Sequence, residues 1–219
     1  MTCSLEELVA AAQAFPDHAY ANLQLKSDPL FGQVPEDDIE VLAAAALDCG
    51  AKTATAIRQE HGEIPPRQIA EALGVKVHMA EMPPGTMQIV CSLYEASRKN
   101  ITVHSNILKT VRLALLPTDP AGPFDEASLT NMAIAHELFH HLEEITPTIF
   151  TRTFRITLWQ LGPMKNTSGI PALSEIGAFA FAKSLCRLPF YPALINLILL
   201  YSQKPEAAIG YYNRIKCSL

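Results

Sequence analysis

His136, Glu137 and His140 stand in a segment, Glu126 to Glu144, that also holds Leu129, Met132, Ile134, Leu138, Phe139 and Leu142. At a helical period these bulky apolar residues face nearly every side, so the segment predicts a buried helix. Two imidazoles and a carboxylate inside a core need a compensating partner. That requirement constrains the chain more than any other feature. Residues four apart on a helix lie one turn above each other, so His136 and His140 project side by side. Two imidazoles so spaced can close on one Zn²⁺ at about 2.0–2.1 Å. Glu137 lies about 100° around the helix, where it can take a proton from a water without ligating the ion. The HExxH pattern is therefore that of a metallopeptidase, with zinc polarising the peptide carbonyl and Glu137 as general base.

A catalytic zinc needs three protein ligands and an open position. Glu143 and Glu144 share the histidines' helix and are poorly placed to fold back onto the same ion. The downstream candidates are Glu175 and Glu206. Glu175 is expected in the first turn of a helix over Leu173–Arg187, where Ala178, Ala180 and Ala182 permit close approach of a neighbouring helix. It can point across to the HExxH helix, or simply answer its own helix dipole. Glu206 follows Pro205 in a polar tail and reads as helix-start chemistry. His141, about 100° from His140, is expected off the ion, in an outer or solvent role. His104 closes a strand, a position where a lone histidine is more often structural. No nucleophile elbow, P-loop or dinucleotide glycine fingerprint competes with the metal reading.

Composition sets the frame. The chain has 219 residues, 49% apolar and 18% charged, enough for one domain with a sizeable core. A net charge of −5 argues against a nucleic-acid or anionic-membrane surface. Cys3, Cys49, Cys91, Cys186 and Cys217 are scattered without a CxxC pair, as expected of reduced thiols in a cytoplasmic protein. Met1 to Glu7 lacks the pattern of a signal peptide. The apolar run Leu188–Gln203, broken by Pro189, Pro192 and Asn196, falls short of about 20 spanning residues.

Charge divides the chain. Residues 1–62 carry ten acidic and three basic side chains; the remainder carries twelve and fourteen. The acidic part predicts a helical extension: one helix from a Ser4 cap to Ala14, ended by Phe15-Pro16, and another after Pro35 through Ile39, Leu42, Ala46 and Cys49 to His61-Gly62. Residues 63–219 predict the main domain. Its signals are a short helix Arg67–Leu73, strands at 75–79, 86–93 and 100–104, a loop Pro117–Pro123, the HExxH helix, a hairpin arm around 153–158, and helices at 173–187, 192–201 and 205–215. The fold class is α+β, with a small mixed or antiparallel sheet. Residues 66–75 look like the start of a helix-turn-helix, but strand-like sequence follows where a basic recognition helix would have to be.

From Ile64 to Pro189 the chain resembles the ImmA/IrrE family of small zinc metallopeptidases. IPPRQIAEALGVKV is similar to that family's opening helix and strand, GTMQIVCS and NITVHSN to its strand pair, MAIAHELFHHL to its zinc helix, and LSEIGAFAFAKSLCRLP to its Glu-x-x-Ala-x-x-Phe-Ala helix. The resemblance implies a zincin-like domain in which His136, His140 and Glu175 bind zinc and Glu137 is the base. It also implies a protein substrate, since such peptidases often accompany helix-turn-helix repressors and cleave them. Two stretches depart from the family: residues 146–172 read as an insertion, and residues 105–125 as an expansion. Both flank the expected cleft, where they could bind substrate, cover the site or block it. A non-catalytic alternative follows: a zinc-containing regulatory module whose inserted segments and acidic N-terminal helices form a partner surface, favoured if a fourth protein ligand from residues 146–172 closes the site.

Overall fold

The computed structural model describes residues 4–85, 89–115 and 124–219. Ser4 and Glu7 form a reciprocal capping box at the start of α1 (Leu5–Gln13), each side chain taking a backbone N–H that the first turn leaves free. After Pro16 comes α2 (Asp17–Lys26), which sequence analysis did not assign. Its buried residues, Ala19 through Leu23 and Leu25, spread around the helix, so there is no one-sided stripe to read. A 3₁₀ turn over Glu36–Asp38 leads into α3 (Ile39–His61), which closes on Gly62 at φ 82°. α4 (Pro66–Ala72) carries a proline in its first turn.

β1 (Lys76–Ala80), β2 (Ser92–Glu95) and β3 (Asn100–His104) form a mixed sheet in the order β1-β3-β2. β1 runs parallel to β3 and β2 antiparallel to it. Of the strand expected over 86–93, the described residues 89–91 are not strand, and the ladder runs from Ser92 opposite Val103 to Glu95 opposite Asn100, because pairing is confined to what β3 can face. Residues 86–88 and the loop expected at 117–123 lie outside the described residues. α5 (Ser105–Leu115) follows directly, burying Leu108, Val111 and Leu115; the sequence reading treated this stretch only as an expansion.

α6 (Glu126–Ile145) is capped by Asp125, whose carboxylate accepts from the Ser128 N–H at 2.8 Å. α7 (Phe150–Thr153) leads to a hairpin of β4 (Ile156–Leu161) and β5 (Met164–Ser168), with Trp159, Leu161 and Met164 exposed. α8 (Pro171–Cys186), α9 (Leu194–Gln203) and α10 (Pro205–Lys216) complete the chain. The architecture is mixed α+β. Among the described residues no helix is long and apolar enough to cross a membrane.

Around α6 the main core gathers Leu138 and Phe139 with Phe181 of α8, Ile101 and Val103 of the sheet, and Leu5, Leu8, Ala54 and Ile57 from α1 and α3. A second cluster joins Ala21, Leu25, Leu42 and Ala46 to Ile156, Ile170 and Ile176. Two glycines set how closely α8 is held. A Cβ on Gly50 would fall 2.2 Å from the Gly177 carbonyl oxygen, and one on Gly177 would fall 2.8 Å from ring carbons of Phe139. Polar ties add to this. The buried Asp28 carboxylate accepts from the Ala172 N–H at 2.8 Å, taking up a donor that the start of α8 leaves free. Lys183 pairs with Asp17 at 2.7 Å. The acidic N-terminal helices are thereby built onto the helix that carries Glu175.

Candidate metal centre

α6 supplies His136, Glu137, His140 and Glu143, and α8 supplies Ser174 and Glu175. Proline at the first position starts α8 at Pro171 rather than at Leu173, which puts Glu175 in the second turn and not, as expected, the first. Its carboxylate bridges the two histidines: Oε2 lies 3.3 Å from His136 Nε2, and Oε1 lies 3.5 Å from His140 Nε2. One ligand atom from each of the three residues lies within 4.8 Å of the other two, the one such group of His, Cys, Asp or Glu among the described residues. Glu206, the other shortlisted acid, is not part of it.

Glu137 is buried, and its Oε1 accepts a hydrogen bond from the Ser92 hydroxyl at 2.9 Å. Ser92 opens β2, so the sheet edge fixes the acid against one wall of the site. His140 is fixed from behind. Its Nδ1–H donates to Glu143 Oε2 at 3.0 Å, and the Ser174 hydroxyl donates to the same oxygen at 2.6 Å. The Thr151 hydroxyl donates to Oε1 of Glu143. Glu143 is not one of the three converging residues; it stands behind His140, a place that the sequence pattern alone did not assign to it. The signal was available, since residues i and i+3 share a helix face. Ser174 and Thr151 come from elsewhere in the chain, and no local pattern marks them. The His136 ring packs on Phe179 with centroids 4.5 Å apart, and its buried Nδ1 has no hydrogen-bond partner among the described residues.

His141 stays off this centre. It is 1% exposed, and its Nδ1–H donates to the Tyr94 hydroxyl at 2.8 Å, which in turn donates to Glu144 at 2.9 Å. Burial lowers its pKa, so it ties α6 to β2 as a neutral ring. His104 holds the Val90 carbonyl at 2.9 Å, a structural use.

The ligand set fits zinc in donor chemistry: two neutral imidazole nitrogens and a carboxylate oxygen, with one histidine oriented by an outer carboxylate. Charge reinforces the arrangement. Burial alone would strip His140 of its proton, but the Glu143 and Glu175 carboxylates outweigh it and hold the imidazole up at about 10. Burial also works against an ionised Glu175, yet His136 and His140 keep it well below the usual carboxylate range. A divalent ion must therefore displace a proton from His140 at neutral pH. Because the protonated imidazole cannot ligate and dominates below about 10, zinc affinity is expected to rise with pH between 6 and 8. Calorimetric titrations in buffers of different ionisation enthalpy should show about one proton released per zinc; no release would contradict this.

The centre lines a cleft of about 650 Å³, walled by residues 89–94 on one side and by Phe179, Ile195 and Leu199 on the other. Cys91 belongs to that wall, but burial and the nearby Glu137 push its thiol up to about 12. It stays protonated at neutral pH and is no thiolate nucleophile.

Comparison with known proteins gives no matching family model, no matching curated protein and no matching solved structure.

Proposed function

We propose that this chain is a zinc-dependent peptidase with a zincin-like domain, similar to the ImmA/IrrE family, that hydrolyses peptide bonds of a specific cytoplasmic protein. The observation that carries the reading is the convergence of His136, His140 and Glu175 within 4.8 Å, in a cleft that Glu137 also lines. Zinc held by these three residues would supply a Lewis acid that polarises the scissile carbonyl and makes a water easier to deprotonate. Glu137, braced by Ser92, takes the proton of the attacking water and passes it to the amine that leaves as the C–N bond breaks. His140 would present Nε2 to the ion, because Glu143 occupies its Nδ1–H.

The non-catalytic alternative calls for a fourth protein ligand from residues 146–172. Residues 146–172 contain no His, Cys, Asp or Glu, the side chains that ordinarily ligate zinc, and the enzyme reading is preferred on that ground. The neighbouring reading frame is the place to look for a substrate, and a helix-turn-helix repressor encoded there would be the first to test. Metal analysis of the purified chain is expected to give about one zinc per chain, with Glu175→Ala losing most of it. Incubation with that repressor is expected to give cleavage that a chelator stops. A chain that takes up no divalent ion would overturn the proposal.

A further inference from the structure

We propose that Thr151 and Ser174, acting through Glu143, are positioning residues for His140, so that residues 146–172 form part of the metal centre rather than a cover over it. The proposal rests on the peptidase reading above and extends it to a segment that the motif does not contain.

Glu143 is 3% exposed, yet three donors from three helices converge on its carboxylate: His140 Nδ1–H from α6, the Thr151 hydroxyl from α7 and the Ser174 hydroxyl from α8. A buried carboxylate is tolerated when its lone pairs are taken up by such donors. Here the His140 imidazole, the Ser174 hydroxyl and the Thr151 hydroxyl between them occupy both oxygens of Glu143. With both hydroxyls donating to this carboxylate, the His140 atom that faces it at 3.0 Å is Nδ1–H. That assignment leaves Nε2 for the ion, and the two hydroxyls stop the carboxylate from rotating out of the imidazole plane. Ser174 lies 3.2 Å from His140 Nδ1 as well, closing the arrangement from the α8 side.

The placement of Thr151 is built in. A Cβ on Gly177 would come within 3.1 Å of the Thr151 methyl carbon, so glycine at that position is what lets α7 lie against α8 beside Glu143. The burden also falls unequally on the two histidines. His136 Nδ1 has no partner among the described residues, leaving the Glu143 assembly as the hydrogen-bonded anchor of the pair.

The test compares isosteric and conservative variants of the full chain. Thr151→Val keeps the shape and removes the hydroxyl, whereas Thr151→Ser keeps the hydroxyl and removes the methyl. After chelator stripping, zinc affinity is measured by competition with a chromophoric chelator. Thr151→Val is expected to bind zinc about 10–100-fold more weakly, with Thr151→Ser within a few-fold of wild type. The Nδ1-bound proton of His140 should be slow to exchange in ¹⁵N-edited spectra of wild type and Thr151→Ser, and fast in Thr151→Val. Ser174→Ala carries the same expectation as Thr151→Val and serves in its place if the valine variant does not fold. Wild-type affinity in Thr151→Val, or equal weakening by valine and serine, overturns the proposal while leaving the peptidase reading intact. A wild-type chain that binds no zinc overturns both.

Discussion

Glu137→Gln is expected to keep the metal and to lower peptide hydrolysis by about 10²–10⁴-fold, the usual contribution of a positioned general base. The glutamine carbonyl can still accept from Ser92, which donates to Glu137 Oε1 at 2.9 Å, so the side chain stays in place. The amide cannot take a proton at neutral pH. Since Glu137 is not among the three converging ligand atoms, zinc content should equal that of wild type. Turnover of the cleaved protein and metal analysis on the same preparation measure the two halves of the expectation. Undiminished cleavage would remove Glu137 from the base role, and loss of zinc would mean that it ligates.

Gly50→Ala should be the most damaging single-methyl change in the scaffold. In an exposed helix interior the substitution would stabilise by about 1 kcal/mol through propensity. Here the added carbon would fall 2.2 Å from the Gly177 carbonyl oxygen and 2.8 Å from the Phe181 nitrogen. Backbone atoms cannot rotate aside as a side chain does, so α3 and α8 must separate. Overpacking of this kind costs about 1–3 kcal/mol, occasionally more; contact with backbone that cannot move aside puts this site at the upper end, about 3 kcal/mol, of which the helix gain recovers about 1. A net loss of about 2 kcal/mol corresponds to a drop of about 4–8 °C in Tm for a chain of this size. Because α8 carries Ser174 and Glu175, zinc affinity should fall with it. An unchanged or raised Tm would show that the two helices do not touch here.

Much of this was legible in the sequence where the signal is local. Ser4 and Gly62 mark helix ends through capping and left-handed backbone, effects that act within a few residues. The paired histidines at i and i+4 needed only the helical period. Glu175 could be shortlisted from the small residues around it, but its choice over Glu206 leaned on family resemblance, since nothing local says which distant acid completes a site. α2 escaped because it is buried around much of its circumference and shows no stripe. At 89–91 the expected strand does not form because alternation marks strand-like sequence, whereas a ladder exists only where a partner lies alongside. The Thr151–Glu143–Ser174 assembly was illegible for a similar reason. It is made by three helices meeting at Gly177, and a glycine in a sequence does not announce what packs against it.

The chain contains a single tryptophan, and Trp159 lies half-exposed on β4 instead of within either apolar cluster. Its indole fluorescence therefore senses the hairpin, not the helices that build the centre. Native emission should already be red-shifted and open to acrylamide quenching, and melting of α3, α6 and α8 should alter it little. Far-ultraviolet dichroism follows the helices directly, and an unfolding curve drawn from the half-exposed indole alone would understate what the helical body has lost.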